Sequence, residues 1–147
     1  MTRRPFEGVE AGAELPSLTR VVTREDIRAY AEAGGDPNPL HQDDAFARAA
    51  GFPGIIAHGM FTMGHMAACV VAWAGEAAAV ERISAQFRAP VFLDEEIVAG
   101  GRVRSVDAEA RTATLETWVT VTRDGVTEMP VRRGEAIVRL RDRGEPE

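Results

Sequence analysis

Lysine is missing altogether, and all 17 basic side chains are arginine. Schiff-base chemistry and a lysine general base are therefore excluded. Cysteine occurs once, as Cys69, so neither an intrachain disulfide nor a multi-cysteine metal site can form. Lying in an apolar segment, Cys69 reads as inert core. No hydrophobic run reaches the roughly 20 residues that cross a bilayer. The most apolar stretch, 60–74, contains His65 and reads as a buried helix. An excess of positive charge is also lacking: the formal net charge is -6, which argues against nucleic acid or an anionic membrane surface as principal partner. A local basic cluster can still meet an anionic ligand. The opening MTRRPFEGVE has two arginines but no following apolar run, so it does not read as a secretory signal, and the expected location is cytoplasmic.

What is present is a chain of 147 residues, 45% hydrophobic, enough for one domain with a real core and too short for two ordinary ones. A single domain over 1–147 is expected, with a disordered tail at 142–147. Residues 15–22 suit an edge strand, with Pro16 near its start. Thr23-Arg24-Glu25-Asp26 has the form of a capping box, and a helix over 24–33 should follow, with Ile27, Tyr30 and Ala31 on one narrow apolar face. Gly34-Gly35 ends it. Asp43 caps a short helix through Ala50, and Gly51-Phe52-Pro53-Gly54 turns the chain back toward Ile55-Ile56. Residues 59–74 are apolar on nearly every face, the pattern of a helix wrapped on several sides. Beyond Gly75 the period changes to two. Strands are expected at 83–87, 96–106 and 112–122, followed by a hairpin turn at Asp124-Gly125 and a last strand near 134–141. This order implies an α+β layout, an antiparallel sheet curled around one helix. Its open edges and uncovered flank predict pairing of two copies or of two related chains.

Chemistry concentrates in 34–60. Asp36, Asn38 and His41 fall in one loop stiffened by Pro37 and Pro39, and His58-Gly59-Met60 stands at the threshold of the buried helix. Imidazole and carboxylate together suit proton transfer near neutral pH. Gly59 opens the helix, where unpaired backbone N–H groups carry the positive end of the dipole. His58 reads as a hydrogen-bonding support for the loop. His65 is left open between core histidine, tunnel-lining group and interface contact. Phe52, Ile55, Ile56, Met60, Met63 and Phe87 are candidates for lining an apolar ligand tunnel, though Met60 and Met63 also suit plain core. Arg88, Arg132 and Arg133 fit either a solvated strand face or a contact for anionic groups of a ligand or an acidic partner.

The run Gly35-Asp36-Pro37-Asn38-Pro39-Leu40-His41 resembles the signature of MaoC-like (R)-specific enoyl-CoA hydratases and (3R)-hydroxyacyl-ACP dehydratases. Ala57-His58-Gly59-Met60 and Phe87-Arg88-Ala89-Pro90-Val91 fit the same family. Within it, residues 57–64 and the short length look most similar to the catalytic B subunit of the mycobacterial dehydratase. The resemblance implies a hot-dog fold, a hydro-lyase acting on trans-2-enoyl or (3R)-hydroxyacyl thioesters of CoA or ACP, and neither metal nor redox cofactor. It casts Asp36 and His41 as the pair that shares a catalytic water, Gly59 N–H as oxyanion donor and Asn38 as a supporting residue. A non-catalytic or partner subunit of a heterodimer, and a hot-dog thioesterase, are the rival expectations.

Overall fold

The computed structural model describes residues 2–142. In chain order the elements are β1 (Leu18–Val21), α1 (Arg24–Gly34), a 3-10 turn at Pro39–His41, α2 (Asp44–Ala49), α3 (Gly59–Ala74), a 3-10 turn at Ala77–Ala79, β2 (Val80–Phe87), β3 (Glu96–Asp107), β4 (Thr112–Arg123) and β5 (Val126–Arg139). The strands form one antiparallel sheet in the order β1-β3-β4-β5-β2. Helix α3 lies against all five strands. The layout is the α+β arrangement expected, a sheet curled over one long helix.

Local chemistry explains the boundaries. The Thr23 hydroxyl accepts from Asp26 N while the Asp26 carboxylate accepts from Thr23 N, so a reciprocal capping box starts α1. Gly35, at φ 64°, closes it in the left-handed region. On β4 the inward residues Ala113, Leu115, Thr117, Val119 and Val121 are all buried, the period-two pattern of a strand with one core face. They meet Thr62, His65, Met66, Cys69, Val70, Trp73 and Ala74 of α3, which recur three and four residues apart. The β4–β5 turn uses Asp124 and Gly125 at φ 49° and 77°, as a two-residue turn with both centres left-handed requires.

Three features differ from expectation. β5 begins at Val126, well before 134, because Pro130 sits where the pairing is already irregular, between Val119↔Val131 and Val121↔Glu128; a proline costs no ladder bond at a bulge. Helix α3 is buried on one face only, leaving Met60, Gly64, Ala68 and Ala72 exposed, since one sheet covers one side. Asp142, placed at the head of a disordered tail, ion-pairs with Arg111 at 2.7 Å; the remainder of that tail lies outside the described residues. Among those described, no helix is long and apolar enough to cross a membrane.

Candidate active site

The loop after α1 is fixed by its polar side chains together with its backbone. Asp36 N donates to Ala31 O, and the Asp36 carboxylate accepts from Asn38 N at 3.3 Å. Asn38 Oδ1 accepts from Leu40 N at 3.0 Å, capping the 3-10 turn that carries His41. Asn38 thus supports His41 through the turn. Leu40 O accepts from Ile56 N, and His41 Nδ1 lies 2.7 Å from Ile56 O, so the loop and the segment entering α3 clasp each other. A carbonyl can only accept, so Nδ1 carries the proton. In the neutral ring the lone pair is then on Nε2.

His58 is 2% exposed. Its Nε2 lies 3.1 Å from Asp36 O and 4.0 Å from the Asp36 carboxylate, and by the same logic Nε2–H is the donor. Its ring stacks on His41 with centroids 3.7 Å apart, and Tyr30 closes the stack at 4.9 Å. Nδ1 of His58 is buried with no hydrogen-bond partner. Asp36, by contrast, is half-exposed at its side chain. Polar atoms of Asp36, His41 and His58 all lie within 4.8 Å of one another. The two rings are only 26° from parallel. The arrangement is suited to moving protons.

A cleft of about 330 Å³ opens beside this group, lined by His41, Phe52, Ile56, Gly59, Thr62, Phe87 and Arg88 among others. Gly59 is the first residue of α3, and its N-cap, His58, makes no side-chain cap. A Cβ at Gly59 would sit 3.3 Å from the Phe87 ring, so glycine keeps the helix terminus open under that ring. Of the candidate tunnel residues, Phe52, Ile56 and Phe87 line the cleft. Ile55 is buried core, Met63 packs against the core and Met60 is 54% exposed; none of these three is in the lining. Helix periodicity fixes spacing but not which face a cleft meets. Thr62 escaped sequence reasoning, although a lone hydroxyl three residues after Gly59 on an apolar helix was the available signal. Tyr30 was read only as part of an apolar face.

His65 lies elsewhere, with Nε2 2.8 Å from Leu18 O, tying α3 to β1. Burial holds its pKa below the usual imidazole value. Cys69 is buried, and its thiol pKa is pushed up by the same cause.

The family model described as "MaoC like domain" matches residues 9–126. This chain belongs to the MaoC-like family. Over 140 residues it is 31% identical to the (R)-specific enoyl-CoA hydratase of Rhodospirillum rubrum, covering 95% of this chain and 93% of that one. The mitochondrial 3-hydroxyacyl-[acyl-carrier-protein] dehydratase of Arabidopsis thaliana is 42% identical over 80 residues, 54% of this chain and 48% of that protein. The 3-hydroxyacyl-thioester dehydratase X of Mycobacterium tuberculosis is 41% identical over 78 residues, 53% and 27% respectively. Against these last two, the matched segment spans about half and about a quarter of the relative's length. Among solved structures, the (R)-hydratase from A. caviae superposes with TM-score 0.82 at 27% identity, covering 92% of this chain and 99% of that chain. The MaoC-like hot-dog fold that the sequence led us to expect is therefore the fold observed.

Proposed function

We propose that this MaoC-like chain is a hydro-lyase that reversibly hydrates trans-2-enoyl thioesters to (3R)-hydroxyacyl thioesters, carried on CoA or ACP. The observation that carries the reading is the His41 tautomer: Nδ1–H is committed to Ile56 O, leaving Nε2 as the base in a cleft that also holds the start of α3. Asp36 and His41 share one water. Its hydroxyl goes to C3 and a proton goes to C2, so the atoms of water are conserved across the double bond. Negative charge gathers on the thioester oxygen during addition, and the Gly59 N–H at the positive end of α3 is the donor that receives it. Asn38 supports the pair, and Phe52, Ile56 and Phe87 form the acyl wall. Each proton-transfer role is worth roughly 10²–10⁴-fold.

Asp36→Asn and His41→Ala should each stay folded and lose hydration of crotonyl-CoA by about 10²-fold or more, followed by loss of enoyl absorbance. Near-normal rates in both variants would sink the assignment. Release of free CoA with no change at the double bond would instead support a thioesterase.

The working form is a dimer of this chain, or a pair with a related hot-dog chain. The apolar α3 face left uncovered by its own sheet supports this, as does the edge position of β1 and β2. One structural relative, at 23% identity, is described as the ChsH1–ChsH2 complex of Mycobacterium tuberculosis, so the fold occurs in two-chain assemblies. A cytoplasmic location belongs to the same reading; its support is a lone buried thiol where a secreted domain would use disulfides.

A further inference from the structure

Arginines on this sheet are mostly neutralised. Arg102 and Arg104 on β3, Arg123 on β4 and Arg139 on β5 each hold a glutamate. Three arginines near the cleft break the pattern. Arg88, Arg132 and Arg133 have no carboxylate within ion-pair distance among the described residues, and all three are exposed. Arg82, further back along β2, is likewise unpaired but is not part of the cleft.

Their placement follows from the register. Arg88 lines the cleft just past the end of β2, where its backbone N–H donates to Pro130 O. Its guanidinium donates to Gln86 Oε1, two residues back and hence on the same side of the strand. Gln86 is the cross-strand partner of Arg132, and directly opposed side chains share a face. Arg88, Gln86 and Arg132 therefore form a continuous polar strip that begins at the cleft rim. One residue of β2 lies between Ser84 and Gln86 where two of β5, Arg133 and Gly134, lie between Arg132 and Glu135, and Arg133 takes φ 49° there. That bulge is why two successive arginines both reach solvent where a regular strand would alternate. Holding uncompensated cations side by side costs electrostatic energy, and a bound anion removes that cost.

We propose that Arg88 and Arg132, with Arg133 beside them, form an anion subsite for a phosphate of the thioester carrier. The inference rests on the functional reading above for the identity of its ligand. A phosphate that projects from the cleft meets Arg88 at the rim and Arg132 next to it, where guanidinium groups donate charge-assisted hydrogen bonds to its oxygens. Carrier selectivity then comes from the strip, and acyl selectivity from the apolar cleft.

The test compares crotonyl thioesters of CoA, 4′-phosphopantetheine and pantetheine, with wild type, Arg132→Gln and Arg88→Gln/Arg132→Gln. The kcat/KM preference for CoA over pantetheine should fall by about threefold to tenfold in the double variant, the range for partly exposed charged contacts. If the preference for phosphopantetheine falls equally, the arm's phosphate is the ligand; if only the CoA preference falls, the nucleotide phosphates are. An unchanged preference in a folded double variant overturns the subsite. Calorimetric titration with CoA and pantetheine separates this from the reaction itself. A CoA preference that shrinks in the variant supports the subsite even if no hydration is seen, whereas equal CoA and pantetheine affinity in the wild type overturns it.

Discussion

His41 owes its tautomer to a carbonyl 15 residues away. Without Ile56 O, the neutral ring could carry its proton on either nitrogen; with it, Nδ1 is the donor and the lone pair is on Nε2. His58 donates to Asp36 O and stacks on His41; in the proposed mechanism it is a positioning residue. His58→Leu removes the donor at similar size and should lower kcat by about 10-fold to 100-fold, with KM little changed, because small displacements of reacting groups are costly. His58→Gln keeps an N–H donor and should recover most of that loss. Equal losses in the two variants would make the effect one of packing alone, and no loss in either would show that His58 does not position the pair. The loop Asp36–Asn38–His41 was legible in the sequence because its bracing prolines are local chemistry. The contribution of His58 was legible only as loop support, since its stacking on His41 depends on segments 17 residues apart meeting in space.

At the scale of elements, the β5 bulge does more than expose two arginines. Gly134 follows it, and a Cβ there would fall 2.3 Å from Thr117 Oγ1 and 2.6 Å from Thr117 O, distances that real Cβ atoms do not tolerate. Since the second obstacle is backbone, rotamer changes cannot relieve it. Gly134→Ala should destabilise the fold by about 2 kcal/mol or more, seen as a lower denaturant midpoint; an unchanged midpoint would show that the bulge relaxes freely. Strands β3 and β4 were readable from alternation, and α1 from its capping box. The first half of β5 was not, because Pro130 normally argues against a strand and only its partner's irregular pairing permits it there.

For the whole molecule, the main unsatisfied feature is α3. Its sequence is apolar nearly all round, yet its own sheet covers only the face bearing Met66, Cys69, Val70 and Trp73. Burial of such a surface contributes roughly 25 cal/mol per Å², which favours a second chain over water. Light scattering should give twice the 15.9 kDa chain mass, and Ala68→Arg, on the exposed face, should shift the protein toward monomer. A wild-type chain that stays at 15.9 kDa would overturn the homodimer.

The amino-acid sequence by itself determined the α+β layout, the helix caps, the hairpin turn and the proline-braced loop, because each depends on residues close together along the chain. Tertiary structure alone decided which nitrogen of His41 carries the proton, which apolar residues face the cleft and where unpaired arginines meet its rim. Those outcomes depend on contacts between segments far apart in sequence, and periodicity carries no information about which of them meet.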